Sequence, residues 1–324
     1  MHQDNMHELL LRIAWHYYID EMNQQKIADR LELPRIKVLR LLKEAKARGM
    51  VDVRIKGDRV SLFSLERELV DLTGLDEVTV VPSGPDPVRS VAYGMTYRFI
   101  RALKTHRVIG IGIGRTLHQF AQLLDFNGPM KTREIVSLVG NTQSNMALDP
   151  LDLSYTLATK LKVDYFNLWA PAWGATPGEA ESIKRNPSIA GTLRRAENAG
   201  IAFIGIGAMK NSMYVRYGYI KPEVFRNMRE GPFVGEVLGQ FFDVDGRRLP
   251  HEVQGCFIAV DMPLGCPVVA VCAGVEKRDA FIGAWRAGFV NELITDEEMA
   301  RSLVAVLKRE RRSIARAGGG RIAT

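Results

Sequence analysis

Apolar side chains recur at helical spacing in three short runs within the first 50 residues. They are Leu10, Ile13, Ala14, Tyr17 and Tyr18 in the first run, Ile27, Ala28 and Leu31 in the second, and Val38, Leu41, Leu42 and Ala45 in the third. Spacings of three and four residues put each set on one helix face. The pattern predicts three amphipathic helices around a small core, with a corner at residues 32–33.

Local signals indicate where these helices begin and end. Asn23 is placed to cap the second helix. Pro34 suits the first turn of the third helix, because the N–H that proline lacks has no intrahelical partner there. Gly49 is expected to end the third helix. Residues 50–55 then alternate between apolar and polar side chains, which predicts a short strand and a winged arrangement.

Basic side chains concentrate on the third helix, away from its apolar face. Such a run is usually a solvated surface, and a structural helical hairpin is the alternative. The short corner and the basic second helix of the pair are typical of a helix-turn-helix, whose second helix enters the major groove. The residues predicted to contact DNA are Gln24, Arg35, Lys37, Arg40 and Lys43. Arg35 and Lys37 are expected to reach base edges, whereas Arg40 suits bases or phosphates and Lys43 suits phosphates or solvent.

A further helix is predicted at residues 62–75, where leucines recur at helical spacing. It follows the DNA-binding module directly. Two interpretations stay open, a connector that packs between subunits and a helix docked on its own domain.

Six short β-branched segments follow, most of them separated by stretches long enough for a helix. They are residues 77–84, 107–114, 134–141, 164–171, 201–208 and 267–274. This alternation predicts βαβ units, and therefore an α/β domain with a mainly parallel sheet. Ligands of such sheets bind in the loops beyond the carboxyl ends of the strands.

The loop at 112–116 is the strongest candidate for such a binding site. Glycines let the backbone approach a ligand, and the start of the following helix offers free N–H groups to an anion. The candidate residues are Gly112, Gly114, Arg115 and Thr116. A dinucleotide fingerprint would need a third glycine where Leu117 stands, and no Walker sequence is present. The open interpretations are a loop for phosphate or hydroxyl groups and glycines kept for tight packing.

Composition adds little to this picture. With 46% hydrophobic and 25% charged residues, the chain is typical of a soluble globular protein. Neither a secretory signal nor an apolar run of membrane-spanning length is evident, so a cytoplasmic location is expected. Of the net charge of +7, segment 308–324 contributes +5, which predicts a basic, disordered tail. Global charge is therefore weak evidence for DNA binding.

The three cysteines, Cys256, Cys266 and Cys272, lack the spacing of a metal site and are expected to be reduced core thiols. We expect neither a metal nor a cofactor. The predicted division is a helix-turn-helix domain at 1–56, a linker or oligomerisation helix at 57–76, an effector domain at 77–307 and the tail at 308–324.

The order of several blocks resembles the SorC family of sugar-responsive bacterial transcription regulators. The blocks are QQKIADRL and RIKVLRLLKEAKARGMVDV, then VIGIGIGRT, EIVSLVGN and IAFIGIGAM, and finally GEVLGQFFDVDG and VCAGVEKRDAFIGAWRAGFVNELITDEEMARSLV. The resemblance implies a Rossmann-like effector domain related to sugar-phosphate isomerases. It also implies a dimer or tetramer that binds operator DNA and responds to a sugar phosphate, a free sugar or a polyol.

By the same resemblance, the loop from Gly112 to Thr116 would hold the phosphate or hydroxyls of the effector. Lys277 matches a lysine that the family uses at the effector, with a solvated lysine as the alternative. Asn141, Gln143 and Asp243 are further hydroxyl partners that the resemblance suggests. The chain departs from the family at Gln254-Gly255, where an arginine is usual, and at Arg115, where a small or polar residue is commoner. A free sugar or polyol therefore stays open beside a phosphorylated ligand.

The related isomerases raise an enzyme as the rival hypothesis. Isomerisation needs a positioned carboxylate, and residues 205–213, the loop comparable to the acidic loop of those enzymes, contain no Asp or Glu. We therefore expect a regulator of a carbohydrate or polyol operon rather than an enzyme, with no catalytic residues.

Replacing Arg35 by alanine should cost about 1–3 kcal/mol of binding to the cognate DNA site, because a base-edge contact is lost. Fluorescence anisotropy with cognate and random DNA at one salt concentration measures the difference. An equal, small loss on both DNAs would refute a base-reading role for Arg35.

Overall fold

The computed structural model describes residues 2–51, 60–142, 150–210, 218, 220–248, 250–251 and 253–318. The chain divides into two compact units, Met1–Val60 and Ser61–Thr324. Each unit has its own apolar core. In the described part of the chain, no helix has the length and apolar character needed to cross a membrane.

The first unit contains three helices in the predicted places. They are α1 (His2–Tyr18), α2 (Gln24–Arg30) and α3 (Arg35–Ala47). The predicted inward residues of α3 are all buried, and they pack with Leu10, Ile13 and Ile27. Tyr17 and Tyr18 were predicted to be buried and are instead 36% and 38% exposed. They lie at the last turn of α1, where Tyr17 lines a shallow groove with Gln24 and Arg35.

The ends of α2 and α3 are set by a side-chain cap and by local backbone conformations. The Asn23 side chain accepts a hydrogen bond from the Lys26 N–H at 2.9 Å, which confirms the predicted cap. Glu32 takes a φ of 51°, a left-handed conformation that glycine adopts more easily. Pro34 stands one position before its predicted place, as the residue that precedes the helix, because its ψ of 138° is extended. Gly49 ends α3 with a φ of 71°.

Of the strand and wing predicted for residues 50–55, only Met50 and Val51 are described, and neither belongs to a strand. The remaining residues of that prediction lie outside the described part of the chain.

The second unit is built on a seven-stranded sheet in which every pairing is parallel. Its strands are β1 (Glu77–Val81), β2 (Val108–Ile111), β3 (Glu134–Ser137), β4 (Asp164–Phe166), β5 (Ile201–Gly205), β9 (Val268–Cys272) and β10 (Glu292–Asp296). Their order across the sheet is β1-β10-β9-β5-β2-β3-β4. The α/β class with a mainly parallel sheet is thus confirmed. All six predicted segments contain strands, whereas β10 was not predicted.

Helices cover both faces of this sheet, as expected where strands are buried on both sides. The helices that follow the first unit are α4 (Val60–Thr73), α5 (Pro87–Thr105), α6 (Arg115–Leu123), α7 (Pro150–Leu161), α8 (Pro177–Lys184), α9 (Pro187–Glu197), α10 (Pro222–Glu230), α11 (Arg278–Arg286) and α12 (Glu297–Gly318), of which α10 packs on the small sheet described below. One apolar cluster contains residues of α5, α6 and α7, and the other contains residues of α4, α8, α9, α11 and α12.

A small antiparallel sheet stands beside the large one. Its strands are β6 (Gly207–Ala208), β7 (Phe233–Val237) and β8 (Gln240–Asp243). Strand β6 follows β5 after one residue, so the small sheet continues from the carboxyl edge of the large one. Strand β7 places Glu236 next to the loops that follow β2 and β5.

Helix α4 docks on its own unit. Leu62, Leu65 and Leu69 are buried in the core that α12 also enters. The Glu66 carboxylate accepts a hydrogen bond from the Val80 N–H at 2.8 Å, which satisfies a donor on the edge strand β1. The contacts therefore support the second of the two interpretations of the predicted linker helix.

The prediction of a disordered tail from residue 308 was wrong, because α12 continues to Gly318. Leu303 and Leu307 are buried, so the apolar face of the helix reaches the start of the basic segment. Lys308 pairs with Glu68, and the Arg311 guanidinium donates to the carbonyl oxygens of Asp71 and Leu72. Basic residues that were expected to be solvated thus hold the helix on α4. Residues 319–324 lie outside the described part of the chain.

A buried ion pair joins α5 to β10. The Arg98 guanidinium donates to both carboxylate oxygens of Glu292, at 2.5 and 2.7 Å, and both residues are 7% exposed. One helical turn further on, Arg101 pairs with Glu77 on a more exposed surface.

Replacing Arg98 by methionine should reduce the free energy of unfolding by about 3–5 kcal/mol, because the charge of Glu292 stays buried without its partner. The matched change Arg101→Met should cost no more than about 1 kcal/mol, since exposed pairs contribute little. Urea unfolding followed by circular dichroism measures both. Equal losses would show that burial does not set the strength of the Arg98 pair.

Candidate functional site

The strand order reverses between β2 and β5. From β2 the chain proceeds through β3 to β4 on one side, and from β5 it proceeds through β9 to β10 on the other. The loops that leave β2 and β5 therefore diverge and leave a crevice beyond the carboxyl ends of the strands. Ligands of open α/β sheets bind at such a switch point.

A pocket of about 70 Å³ lies at this crevice. It is lined by residues at and after the ends of β2, β5 and β9, by Gly207, Ala208 and Glu236 of the small sheet, and by Leu238 in the turn after β7. The charged lining residues are Arg115, Lys210, Glu236, Glu276 and Lys277. Three cations and two carboxylates thus surround one small cavity, which suits a ligand with both an anionic group and hydroxyl groups.

The wall next to α6 is formed by its first residues. Gly114 precedes the helix and offers no side chain to cap it, so the N–H groups of the first turn face the pocket without a side-chain acceptor from that position. Thr116 is buried at 4% exposure and Arg115 is exposed. This arrangement suits an anion, because the N-terminus of a helix carries partial positive charge.

The loop after β9 presents Lys277. The residues Val275–Lys277 form a single 3₁₀ turn, which Gly274 enters with a φ of 92°. The Gly274 N–H donates to the Asp296 carboxylate at 2.7 Å, and the Lys277 N–H donates to the Gly274 carbonyl at 3.1 Å. The backbone that carries Lys277 is therefore fixed by a carboxylate from the adjacent strand β10.

Four of the predicted effector residues meet in this pocket, namely Gly114, Arg115, Thr116 and Lys277. Gly112 directly follows β2 and packs against β5 instead. Its N–H donates to the Phe203 carbonyl at 2.8 Å, and a Cβ there would contact Ile204 at 3.4 Å. These contacts favour the packing interpretation for Gly112.

The other predicted effector residues are not among those that line the pocket. Asn141 donates to the Leu168 carbonyl at 3.1 Å and accepts from the Asn167 amide at 2.8 Å. Asp243 accepts hydrogen bonds from the N–H groups of Asp245 and Arg247, at 3.0 and 2.8 Å, and so closes the turn after β8. Gln143 lies outside the described residues.

Three charged residues of the pocket were missed, Lys210, Glu236 and Glu276. Glu236 is 7% exposed, and its carboxylate accepts a hydrogen bond from the Gly239 N–H at 3.0 Å. A signal for it was present, since an acidic residue stands between Gly235 and Val237 in a largely apolar strand. Residues 205–213 contain no Asp or Glu, but Glu236 and Glu276 reach the pocket from other elements.

Gln254, which stands where the family usually has an arginine, lies elsewhere. Its side chain donates to the Phe241 carbonyl at 2.8 Å, and Gln254 does not line the pocket.

Cys272 is buried in the larger apolar core, and Cys266 packs against the same core but is only partly buried. Burial raises the pKa of the Cys272 thiol to about 11, against a smaller opposing effect of Lys277. Burial likewise raises the pKa of Cys266 to about 11. Both thiols therefore stay protonated at neutral pH, which leaves them poor nucleophiles. The described residues contain no group of three or more His, Cys, Asp or Glu side chains placed to hold a metal ion.

The candidate DNA-binding surface lies on α3 in the first unit. Arg40 and Lys43 are exposed on the side opposite the buried Val38 and Leu41. Arg35 lies at the first position of the helix and shares a shallow groove with Gln24, the first residue of α2. Lys37 is partly buried. The three helices and the exposed basic surface have the form of a helix-turn-helix.

Several known proteins resemble this chain over most of its length. The model of a sugar-binding domain family (Sugar-bind) matches residues 58–305. The erythritol catabolism regulatory protein EryD of Brucella abortus is 30% identical over 306 residues, which are 91% of this chain and 96% of EryD. The transcriptional regulator LsrR of an Enterobacter species is 30% identical over 313 residues, 92% of this chain and 93% of LsrR.

Among solved structures, the full-length sorbitol operon regulator SorC from Klebsiella pneumoniae superimposes with a TM-score of 0.71. It is 22% identical, with coverage of 93% of this chain and 99% of that one. The chain belongs to the SorC family of sugar-binding transcriptional regulators.

A Cβ at Gly205 would lie 2.6 Å from the Ile113 carbonyl oxygen, because the loops after β5 and β2 touch at the switch point. Gly205→Ala should therefore lower the free energy of unfolding by about 1–3 kcal/mol through overpacking. Gly191→Ala is the matched control. It has no atom within 4 Å of its Cβ and lies inside α9, so alanine should stabilise by about 0.5–1 kcal/mol. Thermal unfolding distinguishes the two, and a neutral Gly205→Ala would contradict the close approach of the loops.

Proposed function

We propose that the chain is a DNA-binding regulator of a carbohydrate or polyol catabolic operon, and that an effector bound at the switch-point pocket modulates its affinity for the operator. The observation that carries the proposal is the meeting of Gly114, Arg115, Thr116 and Lys277 in one pocket. The same chain carries the basic helix α3.

The cations and the start of α6 favour a phosphate or another anionic group. Arg115 and Lys277 come from loops on either side of β5, so they can hold one anion between them. Charge-assisted hydrogen bonds of this kind are about twice as strong as neutral ones. A phosphorylated sugar is the ligand that uses all of these donors.

The carboxylates favour hydroxyl groups. Glu236 and Glu276 have only acceptor oxygens when ionised, and hydroxyls of a sugar or polyol can donate to them. A free polyol would bind to these two carboxylates, and water would then solvate the cations of the pocket. The erythritol and sorbitol in the names of EryD and SorC are polyols, which supports keeping this ligand class beside the sugar phosphates.

The regulator is proposed to act as more than one subunit. Paired helix-turn-helix units bind half-sites separated by whole turns of DNA, about 34–36 Å each, so a change in subunit arrangement alters operator affinity. An effector can shift this equilibrium only if it binds one arrangement more tightly than the other. Light scattering of the purified protein with and without effector reports both the number of subunits and its change.

Replacing Lys277 by methionine should weaken the response to a phosphorylated effector about 10- to 100-fold, because a charge-assisted hydrogen bond is lost. The experiment is fluorescence anisotropy with DNA from upstream of the operon of the protein, with a panel of sugar phosphates and free polyols. Salt is held constant, because phosphate contacts make DNA affinity depend on salt. Lys104→Met, an exposed lysine on α5, is the matched control and should respond as the unaltered protein does.

If only an unphosphorylated polyol changes DNA binding, and Lys277→Met leaves that response intact, the anionic half of the proposal is wrong. If no member of the panel changes DNA binding, the modulation by a sugar-type effector is wrong.

We also propose that the pocket binds its ligand without converting it. The Glu236 carboxylate already accepts a hydrogen bond from the Gly239 N–H, so one of its oxygens is engaged by the protein backbone. Nuclear magnetic resonance of sugar phosphates incubated with the purified protein should show no isomer formed over hours. Turnover that Glu236→Gln abolishes would instead establish the enzyme.

A further inference from the structure

An isoleucine stands in the middle of the outward face of α3. Ile36 is 83% exposed, the highest value among the large apolar side chains that the structure describes. Ile36, Arg40 and Lys43 follow each other at spacings of four and three residues, so they form one row along the helix. The buried residues Val38 and Leu41 lie on the other side.

A second apolar residue accompanies it. Leu39 lies three residues from Ile36 on the same side of the helix and is 40% exposed. Single exposed apolar residues are ordinary on protein surfaces. Here two of them are placed together, on the helix that carries the candidate DNA contacts, and surrounded by Arg35, Arg40 and Lys43.

The surrounding charges indicate which partner covers these residues. A second copy of α3 would bring three like charges against three like charges, whereas the phosphates of DNA complement them. In the major groove the base edges offer hydrogen-bond donors and acceptors, and thymine alone adds an apolar group, its C5 methyl. A branched aliphatic side chain at the centre of the face fits that group.

We infer that Ile36, with Leu39 beside it, contacts the C5 methyl groups of thymines in the operator and so determines part of its sequence. The inference rests on the proposed DNA binding. Part of the base recognition predicted for Arg35 and Lys37 is thereby assigned to Ile36 and Leu39. Arg40 and Lys43 lie beside them and are placed for hydrogen bonds or phosphate contacts.

The test removes the thymine C5 methyl group and the Ile36 side chain, first separately and then together. The full-length protein selects a binding site from a random DNA pool, and footprinting maps the half-sites. Each thymine is then replaced singly by deoxyuridine, which lacks only the C5 methyl. Dissociation constants are measured by fluorescence anisotropy at one salt concentration for the unaltered protein and for Ile36→Ala.

At one or two thymines in each half-site, deoxyuridine should weaken binding of the unaltered protein about fourfold, the value expected for one methyl group taken out of water. Ile36→Ala should bind the thymine and deoxyuridine forms of those positions equally. Leu39→Ala should lose the methyl dependence at a neighbouring thymine. Because Ile36 is so exposed, its alanine variant should unfold at the same temperature as the unaltered protein.

Ile19→Ala is the matched control, since Ile19 is a 60% exposed isoleucine of the same unit outside α3. It should keep the full dependence on every thymine methyl. The inference is overturned if Ile36→Ala keeps that dependence everywhere, or if no thymine methyl affects the unaltered protein. If the selection yields no preferred sequence, operator binding itself fails, and the two failures are thereby distinguished.

Discussion

The carboxylate of Asp296 is fully buried at the carboxyl end of β10 and accepts three hydrogen bonds. The donors are the Ser83 hydroxyl after β1, the Gly274 N–H after β9 and the Met299 N–H at the start of α12. One side chain therefore ties the ends of three neighbouring strands and caps the helix that covers them. The turn that presents Lys277 depends on this constraint, since Gly274 is one of its anchors.

The pocket follows from the same edge of the sheet. Parallel strands end at one edge of the sheet, and their order reverses between β2 and β5. The loops after β2 and β5 therefore run in opposite directions, and this divergence alone opens the crevice. The glycine at 205 lets the two loop backbones approach before they diverge. Arg115 comes from the loop after β2, Glu276 and Lys277 come from the turn after β9, and Glu236 comes from the small sheet that continues beyond β5.

A regulator with this architecture must connect a pocket in one unit with a DNA surface in another. The connection is energetic, and its size is limited by the difference in effector affinity between the DNA-binding and the non-binding state of the protein. Helix α4 follows the first unit along the chain and is held on the second unit by buried leucines and by the backbone hydrogen bond from Val80.

The sequence by itself determined the helices of the first unit, six strands of the large sheet and the residues of the loop after β2, because spacing and glycine placement are local properties of the chain. It did not determine which distant residues share the pocket. Glu236 and Arg115 are far apart along the chain, and only the strand order brings them together. By sequence, Asp243 and Asn141 were equally good candidates for binding the effector. In the structure, Asp243 instead accepts hydrogen bonds from neighbouring backbone N–H groups, and Asn141 accepts one from Asn167. Residues 308–318 of the basic segment are helical, and Glu68 and the carbonyls of α4 lie beside Lys308 and Arg311. Burial and partner choice are tertiary properties, set by the packing of elements that no local pattern places.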